Sequence, residues 1–325
     1  MPITVAAAGS YPKGPHLGRL PRLSRAVAAF ETGEIGPRQL RGAEDDFVEE
    51  IIGEQVRSGL GLVNDGHVRW PDVFTPFARR IRGFTVPPGA SASPNGHESP
   101  PRRVTRTVEW GGPVTIDDWR FAASVAAVPV KQVVTGPFSL VRQSSNEHYA
   151  SERALVLDVA RVLNQEAFEL EAAGCSYIEF DEPALVASAG SAADFELLAE
   201  AADILTNGIS VTTELRTWAG PVLQGPDELF ALPFRAFGLD FVDGGQANWD
   251  LVKHFPGGRI LAAGIVGNGP GVEPEESLAA DIRRLLEFVA PDRLHVTPAC
   301  GLGAVPRAVA ETKLVHLARA ARAAV

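Results

Sequence analysis

The sequence predicts an α/β protein of the (β/α)8 TIM-barrel class carrying an inserted β-hairpin. Three observations predict it. Eight short apolar runs bounded by turn residues recur along the chain, and most are separated by segments with helical spacing of apolar positions. Nearly every run ends in a polar or Gly- and Pro-containing tip, which is how parallel strands deliver site residues at their C-terminal ends. No Gly-x-Gly-x-x-Gly follows the first run, so a doubly wound dinucleotide sheet is the weaker reading.

Taken in order, Ile3 to Ala7 is the first strand and enters Gly9-Ser10-Tyr11-Pro12. The backbone N–H groups of such a turn suit a small carboxylate, making Ser10 a candidate binding residue, although an ordinary turn reads the same way. Leu20 to Ser58 carries apolar residues at helical spacing. Leu62 to Asn64 is the second strand, and Asp65, His67 and Arg69 follow it, with Trp70 and Phe74 as apolar walls. Titratable groups gathered at one strand end form a second candidate site element. Phe84 to Pro101 is rich in Pro, Gly and Ser and reads as a loop. Val104–Glu109 and Pro113–Ile116, around Gly111-Gly112, read as the two arms of a hairpin. The insertion therefore spans about 84–118 of a single 325-residue domain.

Val130 to Val134 is a strand ending Thr135-Gly136-Pro137. A helix from Ala154 to Ala172, closed by Gly174, leads to a buried strand, Tyr177 to Phe180. Asp181 and Glu182 end that strand and must point in different directions, because side chains alternate along extended backbone. One can face a pocket while the other supports its rim. Ala193 to Leu205 is a helix, and Ile209 to Thr213 is a strand continuing into Glu214-Leu215-Arg216. Three further strands follow: Phe241–Asp243, Ile260–Ala263 before a Gly-rich turn, and Leu294–Thr297 before Pro298-Ala299-Cys300. A last helix runs from Pro306 to Ala324.

Composition bounds the function. A formal charge of −10 argues against nucleic acid as a partner, since phosphate binding needs a basic surface. No apolar run approaches a membrane span and no signal-like segment opens the chain, so no membrane partner is expected. Two cysteines fit a reducing cytoplasm better than a disulfide framework. Cys175, entering a buried strand, reads as core. The high Ala, Arg and Gly content looks like that of a GC-rich bacterial genome.

Read together, Gly9-Ser10-Tyr11-Pro12, Asp65-Gly66, Thr135-Gly136-Pro137, Ile178 to Leu185 and Pro298 to Leu302 resemble the catalytic half of the cobalamin-independent methionine synthases. The likeness covers nearly the whole chain. It implies a TIM barrel and methyl transfer from 5-methyltetrahydrofolate, a reduced folate, to homocysteine or a related small acceptor. It implies that Asp181 meets the acceptor's amino group and that the Ser10 turn holds its carboxylate. It also implies a zinc ion held by a His-x-Cys at the fifth strand, a Glu after the sixth and a Cys after the eighth. Here Cys300 is present and Asp243 stands in for the Glu. The His-x-Cys falls on Thr213/Leu215 or on Glu214/Arg216, and neither pair supplies the motif. The usual zinc site is therefore expected to be absent, because one thiolate with carboxylates makes a poor zinc site. The position of the acid that would hold the amino group is His67, and that of the aromatic that stacks the pterin is near Gln143.

Three classes of function follow. The first is a methyl or one-carbon transferase with altered, zinc-poor chemistry, using Asp181 and His67 as catalytic residues. His67 would be the base. Ser10, Asp65, Arg142, Glu182, Glu214 and Arg216 would then bind substrate, with Cys300 and Asp243 as remnants of the metal set. The second is a lyase or decarboxylase like the uroporphyrinogen decarboxylases, holding substrate carboxylates on Arg69, Arg142 and Arg216. The third is a non-catalytic ligand-binding relative.

Overall fold

A computed structural model of the chain describes residues 3–14, 22–87, 101–187 and 192–325. Its elements begin with β1 (Thr4–Val5), α1 (Arg22–Glu31), α2 (Pro37–Arg57), α3 (Thr75–Arg80), β2 (Arg82–Thr85), β3 (Arg103–Glu109) and α4 (Ile116–Val125). Then come β4 (Gln132–Thr135), α5 (Pro137–Arg142), β5 (Ser145–Asn146), α6 (Glu152–Ala172), β6 (Tyr177–Asp181), α7 (Ala184–Ala187) and α8 (Ala192–Thr206). The chain closes with β7 (Thr212–Arg216), α9 (Pro226–Leu229), β8 (Ala236–Asp240), α10 (Gly245–Val252), β9 (Ile260–Val266), α11 (Glu275–Leu286), β10 (Leu294–Pro298) and α12 (Arg307–Ala323). Contacts gather these elements into two compact units.

Unit 1 comprises Met1–Arg69, Asp118–Lys131 and Leu239–Val325. Its strands are parallel. β1 pairs β10, with Thr4 opposite His295, and β10 pairs β9, with Leu294 opposite Leu261. Beyond β9 the end of β8 continues the sheet, where the Phe241 N–H donates to the Gly264 carbonyl at 2.9 Å. On the other side of β1, Ala6 bridges Leu62, and Val63 bridges Val130. The core lies between these strands and their helices: α2 buries Phe47, Val48, Ile51 and Ile52, and α12 buries Leu314, Leu317 and Ala318. Each such Phe, Val, Ile or Leu side chain contributes about 1.5–3 kcal/mol. Pro37, in the first turn of α2, has no N–H to leave unsatisfied there.

Unit 2 comprises Trp70–Asp117 and Gln132–Gly238. β4, β6, β7 and the start of β8 run parallel in that order, with Thr135 opposite Asp181, Asp181 opposite Arg216, and Arg216 opposite Gly238. α6 begins at Ser151, whose Oγ accepts from the Ala154 N–H at 3.2 Å, and it packs on α5 and α8. Its apolar face, from Leu155 to Leu170, is buried.

Three elements differ from the sequence reading. The antiparallel partner of β3 is β2, with Phe84 opposite Val104, and not 113–116. The reason is Glu166 of α6, fully buried, whose carboxylate accepts from the Val114 N–H at 3.0 Å and the Thr115 N–H at 2.7 Å. Those amides are then unavailable to a strand ladder. Of the expected loop, 88–100 lie outside the described residues. The sixth barrel-type strand is Ala236–Asp240 instead of Phe241–Asp243. Asp240 Oδ1 accepts from the Val242 and Asp243 amides at 2.8 and 2.9 Å, an Asx-type turn that ends the strand. Lastly, the fifth strand extends to Arg216, which brings Glu214 and Arg216 into the ladder.

Candidate functional site

In unit 2 the tips of β6 and β7 carry a cluster of charge. Alternation places Tyr177, Glu179 and Asp181 on one face of β6, and the register puts Glu214 and Arg216 of β7 beside them. The guanidinium of Arg216, 1% exposed, meets Glu179 Oε2 through Nε at 2.9 Å and Glu214 Oε1 through Nη2 at 2.8 Å. The Tyr177 hydroxyl donates to Glu214 Oε2 at 2.7 Å. Burial favours the neutral guanidine, but Glu179, Glu214 and Asp181 outweigh it and hold Arg216 above its ordinary pKa. Burial, with the neighbouring Glu214 carboxylate, also keeps the Tyr177 hydroxyl protonated. Asp181 itself is 3% exposed, beside its register partner Arg216.

Glu182 points elsewhere. It is buried, and its carboxylate accepts from the amides of Phe138 at 3.0 Å and Ser139 at 2.7 Å, in the first turn of α5. A Cβ on Gly136 would lie 2.2 Å from that carboxylate, so only glycine leaves it room. The Thr135-Gly136-Pro137 tip and Asp181-Glu182-Pro183 are thus two halves of one clamp. Burial pushes the Glu182 carboxyl up to about 7 in spite of those hydrogen bonds.

Next to this clamp lies a cavity of about 250 Å³, lined by Phe74, Ser139, Gln143, Pro183, Ala184, Val186, Trp218 and Ala219. Gln143 does reach it, and the aromatic walls come from Phe74 and Trp218 instead. Sequence reasoning passed over Trp218; the signal was an aromatic residue just after a strand tip. Arg142 is engaged by Glu152 and Asp194, each at 2.5 Å, and stacks 4.6 Å over Phe138.

In unit 1 the Gly9-Ser10 turn is held by Asn64, whose Nδ2 donates to the Gly9 carbonyl at 2.9 Å. It interlocks with the turn after β10, since a Cβ on Gly301 or Gly303 would lie 2.6 or 2.5 Å from Ser10 Oγ. Asp65 is buried, and its Oδ1 accepts from the His67 N–H at 3.0 Å. Burial raises the Asp65 pKa against the pull of that amide, Arg69, Lys13 and Arg41. His67 is also buried and adopts the left-handed region at φ 52°. Arg69 is engaged with Glu44, Asp45 and Asp118. Cys300 is half-buried, and Asn268 Nδ2 donates to its Sγ at 3.3 Å. Asp243 is exposed, and the buried acid at that strand end is Asp240.

The zinc implied by the resemblance can be tested on these donors. Register settles which pair occupies the His-x-Cys positions on the face of Asp181: it is Glu214 and Arg216. A guanidinium has no lone pair to give and carries a fixed positive charge. The residues present do not fit the zinc.

Comparison with known proteins places these features in context. A family model described as the catalytic domain of cobalamin-independent synthase matches residues 1–323. The methionine synthase of Saccharolobus solfataricus is 29% identical over 325 residues, covering 98% of this chain and 92% of that protein. The methionine synthase of Thermococcus kodakarensis is 27% identical over 313 residues, covering 96% and 90%. Among solved structures, a B12-independent methionine synthase from Shewanella sp. W3-18-1, in complex with selenomethionine, superposes with a TM-score of 0.80 at 21% identity, covering 99% and 98%. The fold is thus the TIM-barrel-like α/β fold the sequence predicts.

Proposed function

The chain belongs to the cobalamin-independent synthase catalytic-domain family, and from that premise we propose that it is a methyl or one-carbon transferase. Its acceptor is homocysteine or a related small molecule carrying a cationic group, and its donor is a reduced folate. The methyl leaves N5 of the donor and bonds to the acceptor's nucleophile, whose proton goes in turn to N5. No step here passes through a metal.

The observation that carries this reading is the charge around Asp181. Among the described residues, the carboxyl groups of Glu179, Asp181 and Glu214 gather around the Arg216 guanidinium. A cluster with that excess of carboxylate attracts an ammonium group, and Asp181 is its member at the strand tip. The cavity walled by Phe74 and Trp218 suits a flat ring such as a pterin. The decarboxylase reading draws no support from the arginines, because Arg69, Arg142 and Arg216 are each engaged by acids of the chain itself.

The test is methyl transfer from 5-methyltetrahydrofolate to homocysteine and related amino acids, run beside a thermal-shift panel of reduced folates. Asp181→Asn keeps the shape and removes the charge. It is expected to lower kcat/KM by about a hundredfold or more, the usual scale for losing one side of a buried charge pair. An unchanged rate removes Asp181 from the reaction, and no thermal response to any folate removes the donor.

A further inference from the structure

We propose that Arg216 is the resident cation of the β6–β7 strand tips and that it excludes divalent metal from a carboxylate cluster that would otherwise hold one. This goes beyond the transfer reading, since it concerns what the cluster binds whichever acceptor is used.

Separate features accommodate the guanidinium. Glu179 and Glu214 flank it at 2.9 and 2.8 Å, so a carboxylate on each strand is engaged by the same cation. Tyr177 holds the far oxygen of Glu214 at 2.7 Å, which fixes the carboxylate's rotation toward Arg216. On the next strand, opposite Arg216 in the register, stands Gly238. A Cβ there would lie 2.4 Å from Glu214 Oε1 and 3.0 Å from Arg216 Cγ and Cζ, so a side chain would displace the ion pair. Strand β8 thus leaves open the volume the arginine fills.

The chemistry follows from charge and position. Glu179, Asp181 and Glu214 are oxygen donors on adjacent strands of one face, and oxygen is the donor that a hard divalent cation takes. A guanidinium already pairs with two of them and, unlike a metal, cannot be drawn away by a chelator. A second cation of charge +2 entering the same buried space would meet that fixed positive charge at low dielectric.

The experiment measures metal and needs no activity. Wild-type protein is incubated with zinc, passed through a desalting column and analysed for metal, and its melting temperature is recorded with and without EDTA. The expected result is substoichiometric zinc, less than about 0.1 per chain, and no EDTA effect. The variant E214H/R216C restores a nitrogen and a sulfur donor beside Glu179 and Asp181. It is expected to retain about one zinc per chain, a rise of about tenfold, and with cobalt to show a thiolate-to-metal absorption band. Arg216→Gln is expected to gain a zinc-dependent rise in melting temperature that E179Q/E214Q/R216M lacks. Stoichiometric, chelator-sensitive zinc in the wild type overturns the proposal even if no variant folds. So does a pair of folded variants, E214H/R216C and Arg216→Gln, that take up no more metal than the wild type.

Discussion

Gly136 and Glu182 make a contact whose energetics can be worked out in advance. Gly136 lies at φ −70° and ψ 155°, a conformation open to alanine, so Gly136→Ala carries no backbone strain. Its cost is overlap: the new Cβ would sit 2.2 Å from the Glu182 carboxylate, which must leave. Its departure strands the N–H groups of Phe138 and Ser139, both fully buried, at about 1–3 kcal/mol each. Residual overpacking adds about 1 kcal/mol, so Gly136→Ala should cost about 4–5 kcal/mol. Glu182→Ala should cost about 4 kcal/mol for the same two orphaned donors. In the double variant the methyl enters vacated space, and the total should stay near that of Glu182→Ala alone. The coupling energy is then about 4–5 kcal/mol in magnitude, the whole cost of Gly136→Ala, well above the ~0.5 kcal/mol scatter of independent sites. Urea unfolding followed by tryptophan fluorescence measures all four proteins. Strict additivity would refute the reasoning, because it would mean the carboxylate does not occupy the space Gly136 leaves.

Other outcomes follow from single groups. Burial pushes Lys13 down to about 8 from 10.5, against Asp65 and Glu44. Between those values the unfolded chain binds more protons than the folded one, so stability should rise from pH 8 to 10.5, the full cost being present below pH 8. The difference in melting temperature between wild type and Lys13→Met should track that rise, and acylation of Lys13 followed by mass spectrometry should show a midpoint near 8; a midpoint at the ordinary lysine value contradicts it. Cys175 is buried, its thiol pushed up to about 11, whereas Cys300 is half-buried. An aromatic disulfide reagent should therefore titrate one thiol per native chain and both in denaturant; two fast thiols would contradict the burial. Asp181→Asn should spare stability more than activity, which circular dichroism and rate together decide.

Much of the fold was legible because its signals are local. Apolar runs closed by Gly- and Pro-rich tips marked the strands, and the spacing in α6 and α12 marked helices. What escaped depended on partners remote in sequence. Nothing near Val114 announces that a carboxylate of α6 takes its amide, so an apparent hairpin arm became a turn. Asp240 and Asp243 look alike on paper, and only the hydrogen bonds of Asp240 decide which one is buried. For Glu214 and Arg216 the doubt was a shift of one residue, which in a strand exchanges one face for the other. The amides that Glu182 accepts from lie 43 and 44 residues away, so nothing near it in the sequence announces them.

The pairing of β1 bears on how the chain is assembled during synthesis. Thr4 and Val5 find their ladder on His295 and Val296. Until β10 has emerged, one edge of β1 offers bare peptide groups to any passing strand. Closing so distant a contact is slow, because the entropy of a long loop must be overcome first. Nascent chains stalled short of residue 294 should therefore be the species that chaperones hold, and a truncation that removes β10 should harm solubility more than its size implies.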